Sequence, residues 1–306
     1  MKIILLGPQR RPTLDGVVRS LGLGSDLSGP VATVTAGWQE REPDDAELAA
    51  LLGGRAVNLG LYRRWLDVQD RDPEYFAGAR RLADTLAELQ DLYLLRLDYA
   101  LGAVYAVQRR SASRDAVQDA VAAVRELDTG HLRRVNGARL EFFERLAPHD
   151  RPVIAGHRAE VSAALADAAA LIIAGGHVGV LAEVLHLFNV AAALNGAPVI
   201  AWSAGAMALA DRIVLFHDRS PQGPGHAEVY GSGLSLVRDV VLLPHARARL
   251  VHDDLPRLAV FARRFVPARC VPLEAGTRID VSPDGAWPPG VRVLGQDGHM
   301  SAREAA

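Results

Sequence analysis

A chain of 306 residues with 49% hydrophobic and 23% charged residues can bury a sizeable core and has the balance of a soluble globular protein. Its net charge of −2 points away from nucleic acid and from anionic membranes, and no run approaches the ~20 apolar residues of a membrane span. The single cysteine, Cys270, excludes an internal disulfide and a multi-cysteine metal site, and the single lysine, Lys2, leaves none for a P-loop or a Schiff base.

The apolar run at the start, Ile3 to Leu6, is too short for a signal-peptide core, so a cytoplasmic protein is expected. Lys2 to Gly7 reads as a buried strand, Pro30 to Gly37 as a second, Asp44 to Leu52 as a helix and Ala56 to Leu61 as a third strand. From Tyr62 to Ala147 apolar residues recur at helical spacing (Leu82, Leu86, Leu89, Leu92, then Leu94, Leu97, Leu101), which predicts two to four amphipathic helices. Alternation of strands and helices then resumes. A helix is predicted over Arg158 to Ala168, a strand over Ala170 to Ala174, a helix over Val178 to Leu194, and a strand over Pro198 to Trp202 leading directly into a helix. Arg212 to Phe216 and Val237 to Leu243 read as strands and Leu255 to Phe265 as a helix. Thr277 to Leu294 reads as a terminal β-hairpin, with fraying beyond Gly298. The fold class implied is α/β, a mostly parallel central sheet with helices on both faces, plus an all-helical insertion at 62–147 that divides the α/β part into 1–61 and 148–306.

The chemistry-bearing pattern is Ala201-Trp202-Ser203-Ala204-Gly205, where a buried strand meets a helix. Small residues two positions either side of a nucleophile permit the sharp turn that lifts its hydroxyl to the carboxyl edge of the sheet. The N–H of Ala204 would then point at a developing oxyanion. A serine in this place also reads as an ordinary helix N-cap. Two further features favour the nucleophile. Gly175-Gly176 follows the preceding strand and would face the same edge, with Gly176 as a second oxyanion donor. His245 ends a later apolar strand and would reach that edge as general base, the alternative being a structural histidine.

These pieces resemble the peptidase S51 family, which holds cyanophycinase and aspartyl dipeptidase, within the class I glutamine-amidotransferase-like superfamily. The resemblance rests on Ala174-Gly175-Gly176, the Trp202 to Ala206 elbow, Gly231 to Leu236, Pro244-His245, Thr35 to Glu40 and Leu273 to Thr277. It covers residues 150 to 298 well, the first sixty weakly, and not the helical segment. It implies a flavodoxin-like three-layer sandwich and a serine peptidase or amidohydrolase without metal or cofactor. Ser203 would be the nucleophile and His245 the base. Glu274 would be the acid that orients the histidine, with Asp218 as the alternative. The implied substrate is a short peptide with an aspartyl or isoaspartyl linkage. Where cyanophycinases carry Asp-Gln after the glycine pair, this chain has His177-Val178, so Gly175 and His177 become the candidates for holding the substrate backbone. Arg247 and Arg249 follow His245 and can pair bidentately with a carboxylate. Glutamine amidotransferases carry cysteine at the elbow, and Cys270 lies elsewhere.

Two rival readings stand beside this one. A superfamily member that binds or scaffolds without turnover would also keep the fold. A metal hydrolase would draw on His217, Asp218, His226, Glu228 and His245, although no HExxH spacing occurs. Exposed apolar positions on the helical insertion would favour a homodimer.

Overall fold

The computed structural model describes residues 1–9, 13–23, 29–110, 113–218 and 225–302. The chain runs β1 (Ile3–Leu6), α1 (Thr13–Ser20), β2 (Val31–Val34), α2 (Ala46–Leu51), β3 (Ala56–Asn58), α3 (Leu61–Arg71), α4 (Pro73–Arg110), α5 (Arg114–Leu146) and α6 (Pro152–Ala166). It continues through β4 (Ala170–Ile173), α7 (Val178–Leu187), β5 (Val199–Trp202), α8 (Ala204–Leu209), β6 (Ile213–Leu215), β7 (Glu228–Gly231), β8 (Val240–Pro244), α9 (Ala246–Arg249) and α10 (Leu255–Phe265). It ends with β9 (Arg269–Leu273), β10 (Arg278–Val281), β11 (Arg292–Leu294) and β12 (Met300–Ala302).

β1, β4 and β5 are continuous apolar runs and β2 is apolar but for Thr33, all four buried at every position as strands covered on both faces are. They form a six-stranded sheet in the order β10-β1-β5-β4-β2-β3, parallel throughout except for the edge strand β10. Alternation of side chains splits each strand between two cores. Ile3, Leu5, Ala32, Val34, Ile173 and Ala201 face one side, where Leu61, Ile154, Val161 and Leu181 of α3, α6 and α7 cover them. Ile4, Leu6, Val31, Ile172, Ile200 and Trp202 face the other, against Val17, Val18 and Leu48 of α1 and α2. The molecule is therefore an α/β sandwich with a mostly parallel central sheet.

The helical segment comprises α3, α4 and α5. At 38 residues α4 is about 57 Å long. It is not walled off from the rest. Tyr75, Leu82, Phe142 and Leu146 join the sheet-side core, while Tyr93, Leu97, Leu101, Val121 and Val124 join a further core built on β8, β9 and α10. That second core contains a buried ion pair. The Arg264 guanidinium bonds both carboxylate oxygens of Asp128 (2.6 and 2.7 Å) and the Tyr93 hydroxyl (2.7 Å), fastening α10 to α5 and α4. Leu92 (53% exposed), Leu95 (58%) and Tyr99 (73%) form an uncovered stripe along α4.

Three sequence expectations are corrected. Val237 to Leu243 contributes β8 as expected, but to a separate sheet, β12-β11-β9-β8, in which β8 runs parallel to β9. β9 escaped the sequence reading, as did β7, because each is short and carries a proline, an arginine or a glycine. Thr277 to Leu294 is not a hairpin: β10 pairs antiparallel with β1 and β11 pairs with β9. The hairpin at the end is β11–β12, so residues expected to fray after Gly298 are strand as far as Ala302. Among the described residues no helix is long and apolar enough to cross a membrane.

Candidate functional site

The last rung of β5 is the Ser203 N–H donating to the Leu6 carbonyl at 3.2 Å, and the first helical bond after it is Met207 N–H to the Ser203 carbonyl at 3.1 Å. Between strand and helix, Ser203 adopts φ 51°, ψ −119°, a conformation that costs a residue with a Cβ about 1–3 kcal/mol. Glycine is required two residues on. A Cβ at position 205 would lie 2.5 Å and 2.6 Å from the Ile173 and Ala174 carbonyl oxygens. Position 201 tolerates its one methyl, fully buried. The Ser203 hydroxyl makes no capping hydrogen bond, so the N-cap role open to it from sequence is unused and the half-buried hydroxyl keeps its donor and acceptor. The far end of the buried α8 is closed by the Gly231 to Leu236 segment, whose Leu234 and Leu236 N–H groups bond the Ala208 and Leu209 carbonyls at 2.8 and 2.9 Å.

The Gly175-Gly176 turn sits against the elbow. A Cβ on Gly175 would lie 3.0 Å from the Ser203 Cβ, and Gly176 has φ 128° with the Gly37 carbonyl oxygen 2.3 Å from where its Cβ would stand. The His177 N–H is used by that same carbonyl (2.8 Å), and the His177 Nδ1 accepts the Val180 N–H (3.2 Å). Neither Gly176 N–H nor Ala204 N–H donates to a backbone acceptor among the described residues. The loop after β2 thus buttresses the loop after β4, at the point where the chain leaves β2 for β3 on one side and leaves β4 for β5 on the other. Crevices at such reversals are where α/β sheets bind ligands. Gln39 in this loop holds φ 57°, ψ −123°, almost the conformation of Ser203. Only its place in the Thr35 to Glu40 run flagged it in the sequence. The loop is anchored by Glu42, whose buried carboxylate accepts the Tyr62 and Arg63 N–H groups at the start of α3 (2.9 Å each).

His245 stands in a left-handed turn (φ 58°, ψ 34°) between β8 and α9, its N–H bonded to the Leu273 carbonyl at 3.1 Å. Although β8 is outside the central sheet, a run of backbone contacts brings its end to the same rim as the elbow. Leu6 pairs with Trp202; Gly7 abuts Glu274 so closely that a Cβ on it would lie 1.7 Å from the Glu274 carbonyl oxygen; and Glu274 follows Leu273 directly. The Glu274 carboxylate accepts the Arg247 N–H at 2.7 Å, tying it to the histidine turn from the other side. In an unliganded site the hydrogen bond between nucleophile and base is often long and tightens only with substrate. Asp218, the alternative acid, is buried and held by Arg257 (2.7 Å) and the Val251 N–H (3.2 Å).

Arg247 is exposed, whereas the Arg249 guanidinium lies 5.7 Å from the Phe216 ring centroid, where burial lowers its pKa. Cys270 is buried and its thiol pushed up to about 12 by burial, leaving no thiolate at neutral pH. The candidates for a metal set are dispersed into other pairings: His226 with Asp98 (3.2 Å), Glu228 with Gln90 (2.7 Å) and Asp218 with Arg257. Among the described residues no three metal-ligating side chains group together.

Fold and elbow together define a parallel α/β sandwich that presents a strained, uncapped serine beside a glycine pair at the carboxyl edge of its sheet. No protein-family model and no curated protein matches the chain. Among solved structures it is similar to a peptidase from an acI-B1 Actinobacterium, with 14% identity and a TM-score of 0.47 over 100% of this chain and 96% of that one. A likeness of that size carries no weight for chemistry.

Proposed function

We propose that the chain is a serine hydrolase of peptide or amide bonds, with Ser203 as nucleophile and His245 as general base and acid. The observation that carries this reading is the backbone of Ser203: a nearly forbidden conformation held around a hydroxyl that caps nothing. Strain of that kind persists only where the surrounding fold imposes it, and it is typical of working sites. In the proposed cycle His245 takes the Ser203 proton as Oγ adds to the carbonyl carbon. The Gly176 and Ala204 N–H groups hold the oxyanion, each worth about 10²–10³ in rate. His245 then protonates the leaving amine, and water, deprotonated by His245, releases the acyl group. Glu274, already at the histidine turn, is the acid in this reading; Asp218 is favoured less because its carboxylate is committed to Arg257. The finer assignment, a flavodoxin-like peptidase S51 relative cleaving aspartyl or isoaspartyl peptides, rests on the sequence resemblance. In it Gly175 and His177 flank the substrate backbone and the exposed Arg247 meets a substrate carboxylate.

A fluorophosphonate probe tests the reading. Labelling should fall on Ser203, disappear in Ser203→Ala and drop at least ~10³-fold in His245→Ala, with both variants folded. A folded protein that takes no label would favour the second reading, a binding module without turnover.

A further inference from the structure

A cavity of about 680 Å³ lies between the helical segment and α7. That is the size of a pocket for a drug-sized molecule. Its walls are mainly apolar, with Trp65, Tyr75, Leu82, Leu86, Val180 and Val184 contributed by α3, α4 and α7. Four charged side chains line it: Arg139 and Glu183 pair at 3.5 Å, and the exposed Arg80 and Asp91 are opposite in sign, so the lining is near neutral. The lining includes His177 and Gly179, immediately beyond the glycine turn that touches Ser203. There the Tyr230 hydroxyl, which has no hydrogen-bond partner among the described residues, comes so near Gly179 that a Cβ would lie 2.5 Å from it. So the space is mainly apolar, near neutral, and furnished with a donor beside the segment that follows the glycine turn.

Resting on the reading of Ser203 as nucleophile, we infer that this cavity is the specificity pocket, and that the substrate carries a bulky uncharged apolar group, aromatic or long aliphatic, on one side of the bond that is cleaved, any aspartyl residue lying on the other side, outside the cavity. An acidic side chain would have to shed its water against Trp65, Leu82 and Leu86, and Arg80, the lining cation with no ion pair among the described residues, is itself solvent-exposed and repays little of that cost. An apolar group gains from each methylene removed from water, by about fourfold per buried CH₂. The helical segment then has a chemical task, since α3 and α4 supply most of the wall.

Fluorophosphonates bearing an ethyl or an octyl group test this, because both need Ser203 but only one fills the cavity. The octyl reagent should react tenfold or more faster than the ethyl one. Ala79→Trp, which places an indole in the lining, should collapse that ratio toward one. In Ser203→Ala, where no covalent step occurs, the neutral apolar dye N-phenyl-1-naphthylamine should still bind, and the added Ala79→Trp change should abolish that binding. Equal ethyl and octyl rates on a labelled Ser203 would overturn the pocket and leave the hydrolase reading standing. Failure of both reagents to label would overturn the hydrolase reading itself.

Discussion

Replacing Gly7 by alanine asks whether the rim is held together as described. The new Cβ would stand 1.7 Å from the Glu274 carbonyl oxygen, whereas real Cβ atoms essentially never come within 3.0 Å. The end of β1 and the end of β9 must then part by at least 1.3 Å, the difference between those two distances. Neither side of the contact is a flexible side chain, so the backbone itself has to give. Overpacking of this kind costs about 1–3 kcal/mol. For a chain of this size that lowers Tm by about 2–5 °C. The larger effect is on geometry. Glu274 and, through the Leu273 carbonyl, His245 ride on the displaced strand, while Ser203 stays with β5. A shift of about 1 Å between reacting groups costs on the order of 10²-fold in rate. The assay is the second-order rate of fluorophosphonate labelling, followed beside a thermal melt. Gly16→Ala is the control: it lies in α1 with no heavy atom within 4 Å of the added methyl, and should gain about 0.5–1 kcal/mol without changing the rate. Wild-type Tm and rate in Gly7→Ala would show that the two strand ends do not touch. A lowered Tm with an unchanged rate would break the link drawn between that contact and the histidine.

Asp128→Ala should lower stability by about 3–5 kcal/mol, because it strands the Arg264 guanidinium in the second core; an equilibrium urea titration measures it, and a loss under 1 kcal/mol would mean the pair is not buried in solution. Burial lowers the pKa of both His131 and His186 from 6.5, so the unfolded chain binds more protons once the pH drops below that value. Stability from these groups is complete above about pH 6.5 and is lost as the pH falls toward their folded values. Melts at pH 7.5 and 5.5 should therefore differ, and His186→Gln should narrow the gap; an unchanged gap would remove His186 from the account. The Leu92, Leu95 and Tyr99 stripe predicts self-association through α4. Sedimentation equilibrium should give a dimer that Tyr99→Asp dissociates, and a wild-type monomer would refute the expectation.

Much of the central sheet was legible because its strands carry their own signal: Ile3 to Leu6 and Ala170 to Ile173 are unbroken apolar runs, and strands buried on both faces admit little else. The helical segment was legible for the opposite reason, a 3.6-residue period sustained over tens of residues. What the sequence hid was pairing. Arg278–Val281 and Arg292–Leu294 look like two arms of a hairpin because turn residues lie between them, yet their partners, β1 and β9, are set by tertiary contacts no local pattern encodes. The same holds at the site. The Ser203 elbow is a local motif and could be read from five residues. Gln39 occupies an almost identical backbone state with no comparable spacing around it, and Glu42 caps a helix that begins nineteen residues later. Cavities lie further still from the sequence, since the walls of the one beside His177 come from four helices and a strand.

α4 is a stiff rod that crosses two separately packed interiors. Its amino-terminal part forms one side of the cavity, and its middle is pinned by Tyr93 to the Arg264 cluster. A rod fixed partway along behaves as a beam on a pivot: movement at the cavity wall is resisted by a guanidinium that belongs to the other interior. Loosening that pivot would change how readily the walls separate without altering one atom of the lining.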